Sequence, residues 1–389
     1  MSLSSTKSSL DGRTRLAHAL GFSDYPTNPT AEPYLNYILK QYAGGQTVED
    51  YTELFIEVLE HFRPGAVVKG APASPTVQSL LDKFSSSGFR DVFADTVPGD
   101  LRRKEHVEDT VMCIIGTWTT MLSSFQHKNR SRRVVAAYSL FADATTALES
   151  SPYALLEDLN TQESQSIKAT RLNAFTLNVL SAVDISWTTN VSRHMLLTKV
   201  GGRVVLELFS LPCSFDAITS PAVGIPVELT QEIEESYAVL FNAWSTTPLH
   251  AKLGAIVGLR KVCWCWSCSA YRYRQRCIAA CKSRALANAR RKKHTAADLQ
   301  KSEFDPALQA LMSSQSMRDW TPDDFPTLWP RIARLEQHLQ TSRPWSLSVL
   351  FRDRRDTMQF WTFLFATLVV LLTIVQVLLG VAQVVGSFV

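Results

Sequence analysis

Five of the seven cysteines fall between positions 263 and 281, as Cys263-x-Cys265-x-x-Cys268 followed by Cys277-x-x-x-Cys281. Thiolates are nucleophiles, acyl acceptors and soft metal ligands, so this stretch is where the residue types most directly permit chemistry. There are thiols enough for a tetrahedral zinc site. However, the paired Cys-x-x-Cys knuckles of zinc fingers are missing, and Trp264 and Trp266 interrupt the first three. The spacing therefore assigns no metal ligand, and Cys263, Cys265 and Cys268 read instead as candidate S-palmitoylation sites. Neighbouring arginines favour the reactive thiolate.

The same stretch is strongly basic. Between Lys252 and Lys293 there are twelve Lys and Arg residues and no Asp or Glu. Subtracting these from the net charge of +4 leaves the rest of the chain near −8. Arg260, Lys261, Trp264, Trp266, Arg272, Arg274 and Arg276 combine cations with rings that prefer the headgroup level, which predicts contact with an anionic lipid surface, joined there by Arg352, Arg354 and Arg355. Basic charge interleaved with aromatics also suits nucleic acid, and a plain solvated loop is the third reading. The leaflet is favoured over nucleic acid because an anchored protein meets it first.

Catalytic patterns are absent. The eight histidines are scattered, with no His-Glu-x-x-His. His106-Val107-Glu108-Asp109 opens a helix, where acidic residues favour the N-terminal dipole. Gly201-Gly202 lacks the lysine and following Ser or Thr of a phosphate loop, and no Gly-x-Ser-x-Gly occurs. His194, beside an expected hairpin, reads as a packed and hydrogen-bonded residue. No catalytic residue and no cofactor-binding residue is assigned.

The elements that position these residues follow from periodicity. Helical spacing of apolar residues marks segments from Pro33, from Thr47 to Phe62, from Glu105 to Phe125, from Arg133 to Leu148, from Leu229 to Trp244, through the Cys-rich stretch, and from Pro326 to Leu339. Alternation at Val183, Ile185 and Trp187 predicts a strand. His194 to Thr198, the glycine pair and Arg203 to Phe209 predict a hairpin. The expected fold is mainly α with a small antiparallel β-meander. Its organisation is a loose segment at 1–30, an α-helical region at 31–150, an α+β region at 151–255, the Cys-rich basic segment at 256–300, a helical juxtamembrane region at 301–356 and an anchor at 357–389.

That anchor carries no charge from Thr357 to Val389. A bilayer core needs ~20 apolar residues in a helix, and Phe360 to Val385 exceeds that. Arg352, Arg354 and Arg355 precede it and nothing basic follows, so the positive-inside rule places the N-terminal side in the cytosol. The arrangement reads as tail-anchored, with no export signal at the N-terminus. Along the span, Thr373, Gln376, Gly380 and Gln383 recur at steps of three and four, as a self-associating stripe would.

Trp187 to His194, Leu206 to Cys213, Glu232 to Phe241, Phe325 to Ile332 and the Arg-Asp-Arg-Arg-Asp run before the span occur in an order that resembles a large fungal family of uncharacterised proteins with a C-terminal transmembrane helix. The resemblance covers roughly residues 165 to 389 and departs in the Cys-rich stretch. It implies the membrane topology and carries no activity, cofactor or site residue.

Together these readings point to a non-enzymatic, tail-anchored membrane protein whose cytosolic domain is an interaction or scaffold module. Its expected partners are the bilayer, an anionic lipid surface, a second copy through the membrane helix and an unidentified cytosolic protein. An enzyme with a cryptic site, or a nucleic-acid-binding module, is the alternative.

Overall fold

The computed structural model describes residues 12–41, 48–63, 77–86, 101–120, 166–217, 227–243, 263, 265–290, 304–314, 318–342 and 357–387. The helix expected near Arg133 to Leu148 lies outside them. Among the described residues are eleven α-helices and one three-stranded sheet.

The helices α1 (residues 12–19), α2 (Glu32–Lys40), α3 (Val48–His61), α4 (Val77–Ser86) and α5 (Leu101–Trp118) form the N-terminal part. Helix α1 departs from the loose segment expected there. Leu16, Ala17 and Leu20 are fully buried, and His18, which interrupts that apolar run, bonds the Tyr25 carbonyl at 3.0 Å. The Arg13 guanidinium reaches the Tyr25 hydroxyl at 3.1 Å and Asn36 at 2.7 Å, fastening α1 to α2. Helix α3 buries Tyr51, Leu54, Phe55, Val58 and Leu59, the three- and four-residue spacing expected of one apolar face.

Helix α6 (Ala174–Ser181) begins with a reciprocal cap, in which Asn173 accepts from the Thr176 amide and Thr176 accepts from the Asn173 amide, each at 3.0 Å. The sheet follows, with β1 (Asp184–Thr188), β2 (Leu196–Val200) and β3 (Arg203–Phe209) in the order β1-β3-β2. The β2–β3 hairpin is as expected. Its turn places Gly201 at φ 57° and Gly202 at φ 83°, the left-handed pair that a two-residue hairpin requires.

The meander is corrected, because β1 pairs with β3 in parallel and the sheet is mixed. Alternation in a sequence shows that a strand has two faces and says nothing of its neighbour. Here residues 189–195 carry the chain past β3's slot to the far edge. The Asn190 side chain accepts from the Ser192 amide at 2.9 Å, opening a short 3-10 turn over Val191–Arg193.

Four helices complete the folded part: α7 (Val227–Phe241), α8 (Trp266–Arg290), α9 (Pro306–Ser313) and α10 (Trp329–Thr341). Helix α7 packs against α6, α8 and α9, and α10 packs against α6 and β2. A single apolar core runs from Leu16 to Leu339. Trp320 is fully buried in it and donates its indole N–H to the Leu172 carbonyl at 2.9 Å. Beyond that core lies α11 (Thr357–Ser387).

Candidate functional site

Around His194 the structure assembles a buried polar knot. His194 stands opposite Phe209, one step past the last β2–β3 ladder bond, and its Nδ1 accepts the Phe209 amide at 3.2 Å. An accepting Nδ1 is unprotonated, so Nε2 carries the proton and donates to Ser236 Oγ at 2.8 Å. The Ser236 hydroxyl in turn donates to the Ile233 carbonyl at 2.6 Å. Burial, then the charge of Arg331, pushes the His194 pKa down to about 3. A histidine and a serine in contact resemble a base and its nucleophile. However, Ser236 is fully buried and His194 is 1% exposed, so neither faces solvent. The pair serves to satisfy the strand end.

Arg331 completes the knot. Its guanidinium donates to the Ser192 carbonyl at 2.9 Å and to the His194 carbonyl, holding the β1–β2 connection closed. On α7, Glu232 accepts from the Thr327 amide at 3.0 Å and the Leu328 amide at 2.9 Å. These amides lead into α10, so Glu232 caps that helix from another element. Asp305 is itself the N-cap of α9, accepting from the Ala307 amide at 2.8 Å, and it also accepts from the Cys213 amide at 2.7 Å. Glu232, Asp305 and Arg331 are thus engaged in holding helix ends and turns.

The cysteine stretch is different. Cys263, Cys265 and Cys268 bring their three sulfurs within 4.8 Å of one another. The local reason lies in the start of α8. Cys265 precedes the first helical residue, and its Sγ accepts the Cys268 amide at 3.4 Å while its carbonyl accepts the Ser269 amide at 3.0 Å. That is the geometry by which an N-cap side chain reaches the third helical residue, here with sulfur in place of oxygen. Cys263, two residues upstream, closes the group. Hydrogen bonds from Cys265 hold the Cys263 thiol below its ordinary pKa, whereas burial and the adjacent sulfurs push Cys268 up to about 11. Cys277 and Cys281 lie further along α8 on its buried face and do not join the three.

This placement alters the reading of several residues. Of the three lipidation candidates, Cys268 is fully buried, whereas Cys263 and Cys265 are partly exposed. Trp266 meets Phe175 edge-on at 5.6 Å, so its ring packs on α6 rather than standing between the thiols. Arg274 reaches the Met312 carbonyl at 3.4 Å and sits over the Tyr271 ring at 5.1 Å, while Arg272 donates to Ser269 Oγ at 3.1 Å. Trp266 and Arg274 are half-buried and make these contacts within the domain, whereas Arg276 is exposed. Arg260, Lys261, Trp264, Arg352, Arg354 and Arg355 lie outside the described residues.

Helix α11 has the opposite character to every other helix. Its Leu364–Gln383 stretch has a mean hydropathy of 2.6 and no part of it is buried. Of the sixteen large apolar side chains exposed among the described residues, all but Val48, Val200 and Val227 belong to α11. At ~1.5 Å per residue its 31 residues extend about 46 Å, longer than a ~30 Å hydrocarbon core. Among the described residues, one helix is thus long and apolar enough to cross a membrane. On its polar stripe, the Thr373 hydroxyl donates to the Val369 carbonyl of the same helix at 2.8 Å, and the space around Gly380 is open.

Comparison of the chain with protein-family models, with curated proteins and with solved structures returned no match. Fold and site accordingly define a class in physical terms alone: a mainly helical domain with a small mixed sheet, followed by one apolar helix.

Proposed function

We propose that this chain is a membrane-anchored protein, held by α11, whose folded part lies on the cytosolic side and acts as a non-enzymatic interaction module. The observation that carries the anchor is the exposure of thirteen large apolar side chains on one uncharged helix. In water such a surface far exceeds the patches that soluble proteins leave uncovered, and in lipid it has no cost. The orientation rests on Arg352, Arg354 and Arg355, which precede the helix and would be retained in the cytosol. The interaction role rests on the use of the buried polar groups. His194, Ser236, Glu232, Asp305 and Arg331 all satisfy backbone, which leaves the domain's surface as the part that meets other molecules.

Topology and role are tested together in cells. A glycosylation acceptor appended after Val389 should be modified if the anchor enters the endoplasmic reticulum, while Asn129 and Asn190, in formal acceptor sequences, stay unmodified. Modification of the native asparagines reverses the orientation. Proximity labelling by the intact, anchored chain should then enrich cytosolic proteins facing the same membrane. Turnover of a small molecule by the purified chain would instead favour an enzyme.

A further inference from the structure

The geometry points to a metal site: we infer that Cys263, Cys265 and Cys268 bind one thiophilic d10 ion, zinc(II) or copper(I), through three thiolates at the start of α8. The three sulfurs already lie within 4.8 Å of one another. A zinc–sulfur bond is about 2.3 Å, so a tetrahedral ion holds its thiolates about 3.8 Å apart, and closing this group onto one ion needs only a small contraction. A 4Fe–4S cluster fits less well, because each thiolate then binds a different iron and the sulfurs spread.

Softness points the same way. Three thiolates with no carboxylate or imidazole among them select copper(I) or zinc(II) over magnesium, calcium or manganese. As each metal–sulfur bond forms, the thiol gives up its proton to solvent. Three thiols binding one divalent ion release up to three protons and leave the site with one net negative charge. The surroundings accommodate that charge. The positive end of the 25-residue α8 faces the sulfurs, and the Cys268 amide already donates to the Cys265 sulfur at 3.4 Å. The Arg272 guanidinium, one turn on, lies near enough to act on the Cys263 sulfur.

Supporting structure fixes the ligands. Cys268 is fully buried, and Trp266, between two ligands, is braced edge-on against Phe175 at 5.6 Å. Cys263 and Cys265 are partly exposed, so an ion has a route in and zinc(II) has room for a water as its remaining ligand. This inference is independent of the anchor and does not require that α11 span a membrane.

The test uses the full chain in detergent micelles, reduced and stripped of metal. Zinc(II) is titrated against a chromophoric chelator, and copper(I) against a competing copper(I) chelator without oxygen. One equivalent of at least one ion should bind, and the tighter competition identifies which. Iodoacetamide footprinting of the wild-type chain should show the partly exposed Cys263 and Cys265 protected by that ion and Cys113 unaffected. The C263S chain, altered at a partly exposed position, should bind more weakly by over the ~10–100-fold that loss of an outer-shell partner costs, while C113S binds as wild type. Absence of stoichiometric binding by both ions, equal binding by C263S, or unchanged alkylation of Cys263 and Cys265 with ion present would each overturn the inference. The footprint needs no variant, so it decides the matter even where C263S misfolds.

Discussion

His194 shows how a single residue can look catalytic and act structurally. Its imidazole takes the place of a β2 partner for Phe209, and it can do so only while neutral, because Nδ1 must accept. Burial and Arg331 hold the folded-state pKa near 3, below the ordinary value of 6.5. Above pH 6.5 neither folded nor unfolded chain protonates this group, so the stabilisation is fully present. Below it the unfolded chain binds the proton first. Stability therefore falls as pH drops from 6.5 towards 3, by at most about 1.4 kcal/mol per unit from this group. In H194N the Asn carbonyl can still accept the Phe209 amide. We expect H194N to melt below wild type at pH 7.5, by about 1–3 kcal/mol for the disturbed Ser236 bond. Its stability should fall less steeply between pH 6.5 and 4.5. Parallel slopes in urea melts across that range would show that His194 is not the titrating group.

At the scale of elements, several helix ends are held by side chains from other helices, which makes the termini sensitive positions. Glu232 accepts two amides at the entry to α10 and is 4% exposed. E232A would strand both donors in the interior and should cost about 3 kcal/mol, whereas E232Q keeps an acceptor and should cost about 1 kcal/mol. Chemical denaturation of the two variants checks this order, and equal losses would mean that the space, not the acceptor, matters. These contacts also mark the limit of what is legible in the sequence. Helices α3, α7 and α10 and the β2–β3 hairpin follow from apolar period and from Gly201-Gly202, which are local properties. The parallel β1–β3 pair, the reach of Arg331 to Ser192 and His194, and the Glu232 cap join residues 21 to 139 positions apart, and no local pattern encodes them. Helix α1 is obscured in the sequence by His18, whose bond to Tyr25 makes it compatible with a packed helix. The thiols are visible there as residues, but their convergence depends on Cys265 serving as a cap and on Trp266 turning onto Phe175, an aromatic 91 positions away.

The whole molecule divides its apolar surface in two. One share is closed into the core from Leu16 to Leu339, and the other is the uncovered surface of α11. A core helix buries its leucines, whereas Leu368, Leu371, Leu372, Leu378 and Leu379 are all more than half exposed. Water is a poor solvent for that helix and lipid a good one. A charged residue near the middle of a spanning helix costs about 2.5–3.5 kcal/mol in insertion, so Leu372→Arg together with Ile374→Arg should release the chain from membranes without touching the folded domain. The most direct measurement is extraction of membranes from cells expressing the full chain with alkaline carbonate, followed by assay of pellet and supernatant. Retention of the wild-type chain in the pellet, with the double-arginine variant moving to the supernatant, is the result expected of an anchor. Recovery of the wild-type chain in the carbonate supernatant would contradict it.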